Sequence, residues 1–406
     1  LQDHHRLEAA GIVVRAPGNW SAGRPGRPKV TTVVGARAPA ALDLARSFAA
    51  AGFETHMADC APSRMARWSR AVTRLHRYPA PRADASGFTV AVSALVTRLK
   101  PVLIVPACEE VFHLAAVKAI EGLLFAPPPE ALHRLHSKRM FAEDCAAIGL
   151  LEPRTSRVVS VADLDAFRTD ANELVFKPEY SRFGTHALVG PSVDALRAVT
   201  PSAAMPWVVQ RRVRGREVSF YAASVNGRLA AFSAYRSTWR FGGGAGYAFE
   251  PLEAKMTARL REIAEVMARK LVTRGQFACD VMLDEAGAAW LLECNPRATS
   301  GVHMFGRSGE LALAMLGRSE TVATGAATAA HVGPALWCYG LPEAVRRGRW
   351  NEWRRAGTDV IGAPGDRAPL LGALIDTVGF GARALAGGKR LTEVMTADIE
   401  WNGEEL

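Results

Sequence analysis

Residues 276–301 read "QFACDVMLDEAGAAWLLECNPRATSG". Two apolar runs, 276–283 and 288–295, flank the turn segment "DEAG" at 284–287, a pattern that predicts strand, turn, strand. A four-residue loop pairs 283 with 288, so Asp280 is expected opposite Leu291 and Ala278 opposite Glu293. Side chains alternate faces along a strand, which puts 278, 280, 291, 293 and 295 on one side of the hairpin. Asp280, Glu293 and Asn295 then converge diagonally, with Arg297 one step further out. Two carboxylates and an amide form an all-oxygen donor set. Hard oxygen donors suit Mg²⁺, which takes one or two carboxylates and leaves places for phosphate oxygens. Arg297 can stabilise charge on a transferred phosphoryl group or a tetrahedral oxyanion. For one carboxylate alone, a structural ion pair beside a turn is the plainer reading. Four polar groups at this spacing argue for a site.

Upstream, "LVFKPEYSRFGTHALV" (174–189) predicts a strand, a glycine-containing loop and a second strand. Lys177 ends the first strand, and an ammonium there can meet phosphate oxygens, with backbone N–H groups of 181–185 as further donors. Lys138 belongs to a predicted helix over 133–155 stopped by Gly149; taken alone, it reads as a solvated helix face. Residues 207–237 hold three strand-like runs with a hairpin turn at Asn226-Gly227. A glycine-rich loop (241–250) and a helix (about 253–272) lead into the opening stretch.

Further back, "KVTTVVGAR" (29–37), an Ala/Leu helix (38–53), "ETHMADC" (54–60), a helix near 86–99 and "PVLIVPA" (101–107) form β-α-β units and predict a parallel sheet. Glu109 and Glu110 follow the carboxyl end of the last strand, where open α/β sheets bind ligands. Carboxylates are also favoured at helix N-termini, so a solvated helix start stands beside the site reading. Gly35-Ala36-Arg37 lacks the G-x-G-x-x-G dinucleotide fingerprint.

The 406 residues fit two or three domains at about 150 residues each. Net charge is +10, yet no run of five Lys/Arg occurs, so nucleic acid is not an expected partner. No stretch of 18 uncharged apolar residues occurs, so no membrane span is expected. The six cysteines form no CxxC pair and read as reduced core residues of a cytoplasmic protein. Residues 1–28 read as a flexible lead-in without a signal-peptide pattern. "APPPEAL" (126–132) marks a boundary, and composition shifts after about 325. G-x-x-x-x-G-K-[ST], the kinase motif set and an M-K-M biotinylation motif do not occur.

In order and spacing, "LVFKPEYSRFGTHALV", "VVQRRVRGREVSF" and "CDVML…WLLECNPRATSG" resemble the ATP-grasp carboxylate–amine ligases, including the 13-residue step from Asp280 to Glu293. "VVGARAPAALDLARSFAAAGFETHMAD" is similar to the pre-ATP-grasp domain that precedes this fold, and "TADIEWNG" (396–403) to the tail of actinobacterial carbamoyl-phosphate-synthase-like ligases. The resemblance implies a mixed α/β and α+β chain. A Rossmann-like parallel-sheet domain (29–125) would precede a two-subdomain ATP-grasp fold (126–206 and 207–325) and a C-terminal region (326–406). Asp280, Glu293 and Asn295 would hold two Mg²⁺ ions, with Mn²⁺ as the alternative. Lys138 and Lys177 would contact the ATP phosphates, with Ser181 and Gly184 in the covering loop. Gln210, Arg211, Arg212 and Val213 would form the adenine hinge, and Glu217 would bind the ribose. Arg297, Lys177 and Arg236 are the catalytic candidates. Glu109, Glu110, Arg236, Ser300, Gly301 and His303 are the substrate candidates.

The implied reaction joins a small-molecule carboxylate to an amine through an acyl phosphate, releasing ADP and phosphate; a homodimer is a common assembly among relatives. Phosphoryl transfer to another acceptor, or a nucleotide-binding module without turnover, are the alternatives. Gln210 departs from the usual hinge glutamate, Arg182-Phe183-Gly184 has fewer glycines than many relatives, and Ala278 stands where D-alanine–D-alanine ligases carry arginine.

Overall fold

The computed structural model describes residues 29–181, 186–241, 244–325 and 328–404. The expected lead-in at 1–28 and the loop residue Gly184 lie outside the described residues. The first domain is a parallel sheet of β1 (Val30–Val34), β2 (Glu54–Asp59), β3 (Arg74–Arg77) and β4 (Ile104–Pro106), in the order β3-β2-β1-β4. The central strands β1 and β4 are short, rich in β-branched residues and buried, as parallel strands covered on both faces must be, while the edge strand β3 is mostly exposed. The crossover helix Pro39–Ala50 starts on a proline and buries Leu44 and Phe48 against the sheet, while Leu42 packs in a separate cluster with Tyr235 and Phe249.

A second sheet is antiparallel and contains β5 (Thr155–Val158), β6 (Leu174–Pro178), β7 (Leu188–Val189) and β8 (Trp207–Arg211), ordered β5-β8-β6-β7. β8, which follows the expected subdomain boundary at 206, pairs with both β5 and β6 and belongs to their sheet. The region expected to be one helix over 133–155 is two, Pro129–His136 and Lys138–Ala147. Ser137 breaks it: its backbone is extended and its hydroxyl accepts from the Met140 N–H, capping the second helix. Lys138 therefore occupies a helix first turn.

The largest sheet is built from β9 (Arg216–Val225), β10 (Arg228–Arg240), β11 (Gly246–Pro251), β12 (Gly275–Leu283), β13 (Ala289–Asn295), β14 (Ala323–Thr324), β15 (Ala330–His331) and β16 (Thr358–Asp359). Its order is β13-β12-β9-β10-β11-β15-β16, with β14 on β10. Asn226 and Gly227 join β9 to β10 with φ of 52° and 71°, the double left-handed turn the Asn-Gly pair predicts. The C-terminal region adds two strands to this sheet and then returns to the first domain, where Arg37 binds Asp398 and the Met395 carbonyl.

One face of the large sheet carries the helix Ala254–Lys270 on an apolar cluster with Val218, Phe220, Phe277, Cys279 and Leu291. The other face places Tyr221, Ala223 and Ala278 in one core with Val33, Phe48 and Val105 of the first domain. Gln276 fixes this junction: its amide donates to the Pro106 carbonyl and its oxygen accepts from Tyr221 Oη at 2.9 Å. The helix Ala368–Gly387 is long and apolar enough, by length and composition, to cross a membrane. It carries Asp376, which accepts from the Met65 N–H, and packs Gly372 so closely on Arg64 that a Cβ would lie 2.6 Å from the Arg64 carbonyl carbon.

Candidate active site

The metal-candidate hairpin forms, with a register that differs from the expected one. Leu283 pairs with Ala289 and Val281 with Leu291, so the turn holds five residues rather than four. A bulge then shifts the ladder, and Asp280 faces Glu293 directly, Cys279 faces Cys294 and Ala278 faces Asn295. The bulge at Leu292 also changes which residues share a side. Leu291 and Cys294 both point into the apolar cluster under the helix Ala254–Lys270. Asp280, Glu293 and Asn295 share the opposite face, toward the first domain, and Leu291 does not join them. The convergence is thus tighter than a regular hairpin allows, because directly opposed side chains stand about 5 Å apart at Cβ.

Asp280 accepts from Ser219 Oγ at 2.7 Å on the neighbouring strand β9. Burial, and next the charge of Glu293, push its carboxyl above the ordinary range, against the Ser219 hydrogen bond. Burial also disfavours the Glu293 carboxylate, but the ammoniums of Lys138 and Lys177 outweigh it and hold this group low. Lys138 Nζ lies 3.6 Å and Lys177 Nζ 3.5 Å from Glu293 Oε2. Lys177 reaches there because it ends β6 and points across to β13, where it also donates to the Leu292 carbonyl at 3.4 Å.

Lys138 is held by the carbonyls of Glu179 and Ser181, each at 3.3 Å. Glu179 is itself buried, accepting from Ser137 Oγ and from Arg157 Nε. The cap residue and the end of β6 thereby fix the first turn that carries Lys138. Ser181 contributes a carbonyl to that lysine.

Past the strand, Arg297 Nη2 donates to Asn295 Oδ1 at 3.2 Å and lies 3.7 Å from Glu109 Oε1. Glu109 thus belongs to the site from the first domain. Glu110 points elsewhere: its Oε1 accepts from the backbone N–H groups of Ala107 and Cys108, closing the start of its own helix. It is fully buried, and burial pushes its pKa up to about 7 with the Asp59 charge adding to the shift.

Glu217 lies two residues before Ser219 on the same face of β9 and pairs with Arg240 Nη1 at 2.8 Å. Tyr235, opposite Ser219, feels the Asp280 charge. Arg236 is not with them. One residue beyond Tyr235, it faces the other side of β10, exposed, with Glu250 at 2.7 Å. Strand alternation removes it from both the catalytic and the substrate sets.

His303 is also withdrawn: its Nδ1 lies 2.8 Å from Asp43 Oδ2, its ring stacks on Phe249, and its side chain is 3% exposed. Gly301 is a packing position. A Cβ there would sit 2.3 Å from Tyr221 Cβ, and its carbonyl accepts from Ser233 Oγ. Ser300 stands half-buried at the start of the same 3₁₀ turn.

Gln210 is buried, its side-chain amide donating to Thr155 Oγ1 at 3.0 Å. The backbone N–H groups of Arg211 and Arg212 donate to Arg154 and Glu173 carbonyls. Val213 comes just after the strand end. Ser219, Tyr235, Arg240 and Glu179 are the site residues that sequence reasoning missed. The alternation of "GREVSFY" could have offered Ser219 as a same-face neighbour of Glu217.

Among the described residues, no group of three or more His, Cys, Asp and Glu side chains is arranged to hold a metal ion alone. Two carboxylates and one amide oxygen fit an ion that takes its remaining ligands from phosphate and water, which is the habit of Mg²⁺.

Residues 151–301 match the sequence model described as the ATP-grasp domain. No curated protein matches the chain by sequence. Among solved structures, the chain is similar to an L-amino acid ligase from Bacillus licheniformis, at 18% identity over 70% of this chain and 69% of that one, with a TM-score of 0.52. It is similar to a phosphoribosylamine–glycine ligase from Thermotoga maritima, at 17% identity over 74% and 78%, with a TM-score of 0.57. A third is the biotin carboxylase domain dimer of Hydrogenobacter thermophilus 2-oxoglutarate carboxylase, in complex with MgADP, ADP and bicarbonate, at 11% identity over 72% and 71%, TM-score 0.56. These likenesses carry the fold. Together with the matched segment they show that this chain contains an ATP-grasp domain, preceded by a parallel-sheet domain.

Proposed function

We propose that the chain is an ATP-dependent ligase that joins a carboxylate to an amine through an acyl phosphate, releasing ADP and phosphate. The observation that carries this reading is the meeting of Lys138 and Lys177 on Glu293, directly across from Asp280, with Asn295 and Arg297 next along the same strand. Two ammoniums and two carboxylates on one spot are costly to assemble unless a polyanion with a divalent cation comes between them. Asp280, Glu293 and Asn295 would hold Mg²⁺, which neutralises β- and γ-phosphate oxygens when bound. The MgADP complex of one similar fold supports the same pairing here.

The residues divide the work as follows. Lys138, set by Ser137 and Glu179, and Lys177 hold phosphate oxygens. Val213, with Gln210, Arg211 and Arg212 behind it, lines the hinge for the base. Glu217 reaches the ribose, with Arg240 holding its carboxylate in place. Arg297, positioned between Asn295 and Glu109, steadies the phosphoryl group in transfer and then the acyl phosphate. Glu109 of the first domain meets Arg297 at the edge of the large sheet, which brings both units to this spot. Six free cysteines support a cytoplasmic setting.

Amino acids are the first substrates to test, since one similar fold is an L-amino acid ligase. The full chain with MgATP and a pool of the twenty amino acids should release phosphate and yield a new amide detectable by mass spectrometry. Phosphate release that needs a carboxylate but no amine would favour the alternative acceptor. Tight MgATP binding without turnover across a broad panel of carboxylates and amines would sink the ligase reading.

A further inference from the structure

The segment from Met395 to Glu404 lies across the carboxyl edge of the first sheet and is tied down along its length. Arg37, in the loop after β1, donates to Asp398 Oδ1 at 2.5 Å and to the Met395 carbonyl at 2.8 Å, while its remaining N–H groups hold Asp59. Arg82 binds Glu400 and Glu404 at 2.8 and 2.9 Å. Trp401 is 3% exposed. Its ring stacks on His133 at 4.3 Å and Phe112 at 4.7 Å and meets Tyr180 edge-on. Gly403, with φ of 95°, lies flat on Tyr180; a Cβ there would come within 2.7 Å of that ring.

Trp401 touches both halves of the candidate site. Its backbone N–H donates to Glu109 Oε2 at 3.3 Å, while the other Glu109 oxygen lies 3.7 Å from Arg297 Nη2. His133 and His136 belong to the helix just before the Ser137 cap, and Tyr180 precedes the Ser181 carbonyl that holds Lys138. A glutamate side chain has three rotatable torsions. Binding one oxygen to a fixed backbone N–H selects the rotamer that presents the other to Arg297.

We propose that Trp401 is a positioning residue for the transfer step: the C-terminal strap sets Glu109, and Glu109 sets Arg297. This rests on the reading of Arg297 as the group that steadies the transferred phosphoryl. Trp401 reaches the arginine through Glu109 and not by a contact of its own ring, so its loss should act on turnover more than on nucleotide affinity.

A double-mutant cycle in the full chain tests it, read by phosphate release from MgATP with the twenty-amino-acid pool, by MgADP binding in calorimetry and by thermal unfolding. Trp401→Ala should lower kcat about tenfold and leave the MgADP Kd within about twofold, and Trp401→Phe should recover most of the loss. In an Arg297→Ala background, adding Trp401→Ala should change kcat by less than about twofold, because both act through one guanidinium. Losses that multiply in the double variant, or an unchanged kcat in Trp401→Ala, would overturn the proposal. Should Trp401→Ala fail to fold, Glu109→Gln supplies the same test: it keeps the acceptor for Trp401 N–H, removes the charge facing Arg297, and should be equally non-additive. An unchanged kcat in Arg297→Ala alone is a separate result, which overturns the reading of Arg297 and the proposal with it.

Discussion

Glu293 is where the site's charges meet, and its neighbours decide its state. Burial works against the carboxylate, and Lys138 and Lys177 keep it ionised. Removing one ammonium from this group should therefore show in nucleotide binding. Lys177→Ala should weaken MgATP about 10- to 100-fold, the range for a hydrogen bond between charged groups, measured by calorimetry; an unchanged Kd would remove Lys177 from the phosphate site. Asp280, Glu293, Asn295 and Arg297 were legible because one hairpin carries them all, close together in the sequence. Ser219, Arg240 and Glu179 were not, because their place depends on pairing between distant segments. Arg236 shows the limit of reading a face from a motif: Tyr235, one residue before it, has the side toward Asp280.

Among elements, the β12–β13 hairpin shows how one extra residue produces a site. The turn is one residue longer than the simple pattern predicts, and the bulge at Leu292 compensates. Without the bulge, Glu293 would lie in register with the apolar cluster under the helix Ala254–Lys270. The predicted single helix over 133–155 hid a second such device. Ser137 is an ordinary residue in sequence, and only its hydrogen bonds to Met140 and Glu179 show it as the cap that aims Lys138. Ser137→Ala should cost about 1 kcal/mol of stability by denaturant unfolding, the usual worth of an N-cap, and should weaken MgATP binding as well.

At the scale of the molecule, the parallel sheet, the ATP-grasp domain and their order were readable from β-α-β periodicity and motif spacing. The return of the C-terminal region to the first domain was not, since Arg37 and Asp398 lie 361 residues apart. Their contact makes a pH prediction. Burial would raise the Asp398 carboxyl, but its bonds to Arg37 hold it below the ordinary value of 3.8. A carboxylate lowered on folding adds stability above its unfolded pKa, and that stability is lost as pH falls through the lowered value. Asp398→Asn should thus reduce the Tm at pH 7, and its deficit against the unaltered chain should shrink as pH falls below the ordinary carboxyl value of 3.8. A deficit that does not change with pH would mean that the charge of Asp398 is not what holds the strap.

The central claim is that Glu293, set between two lysines and facing Asp280, makes MgATP turnover possible. The most direct measurement compares ADP formation by the full chain and by Glu293→Gln, with MgATP and the amino-acid pool, alongside thermal unfolding. The account predicts a loss of at least about 1000-fold in the variant, a failed electrostatic term of roughly 4 kcal/mol, with folding intact. ADP formation by the folded variant at the rate of the unaltered chain would contradict it.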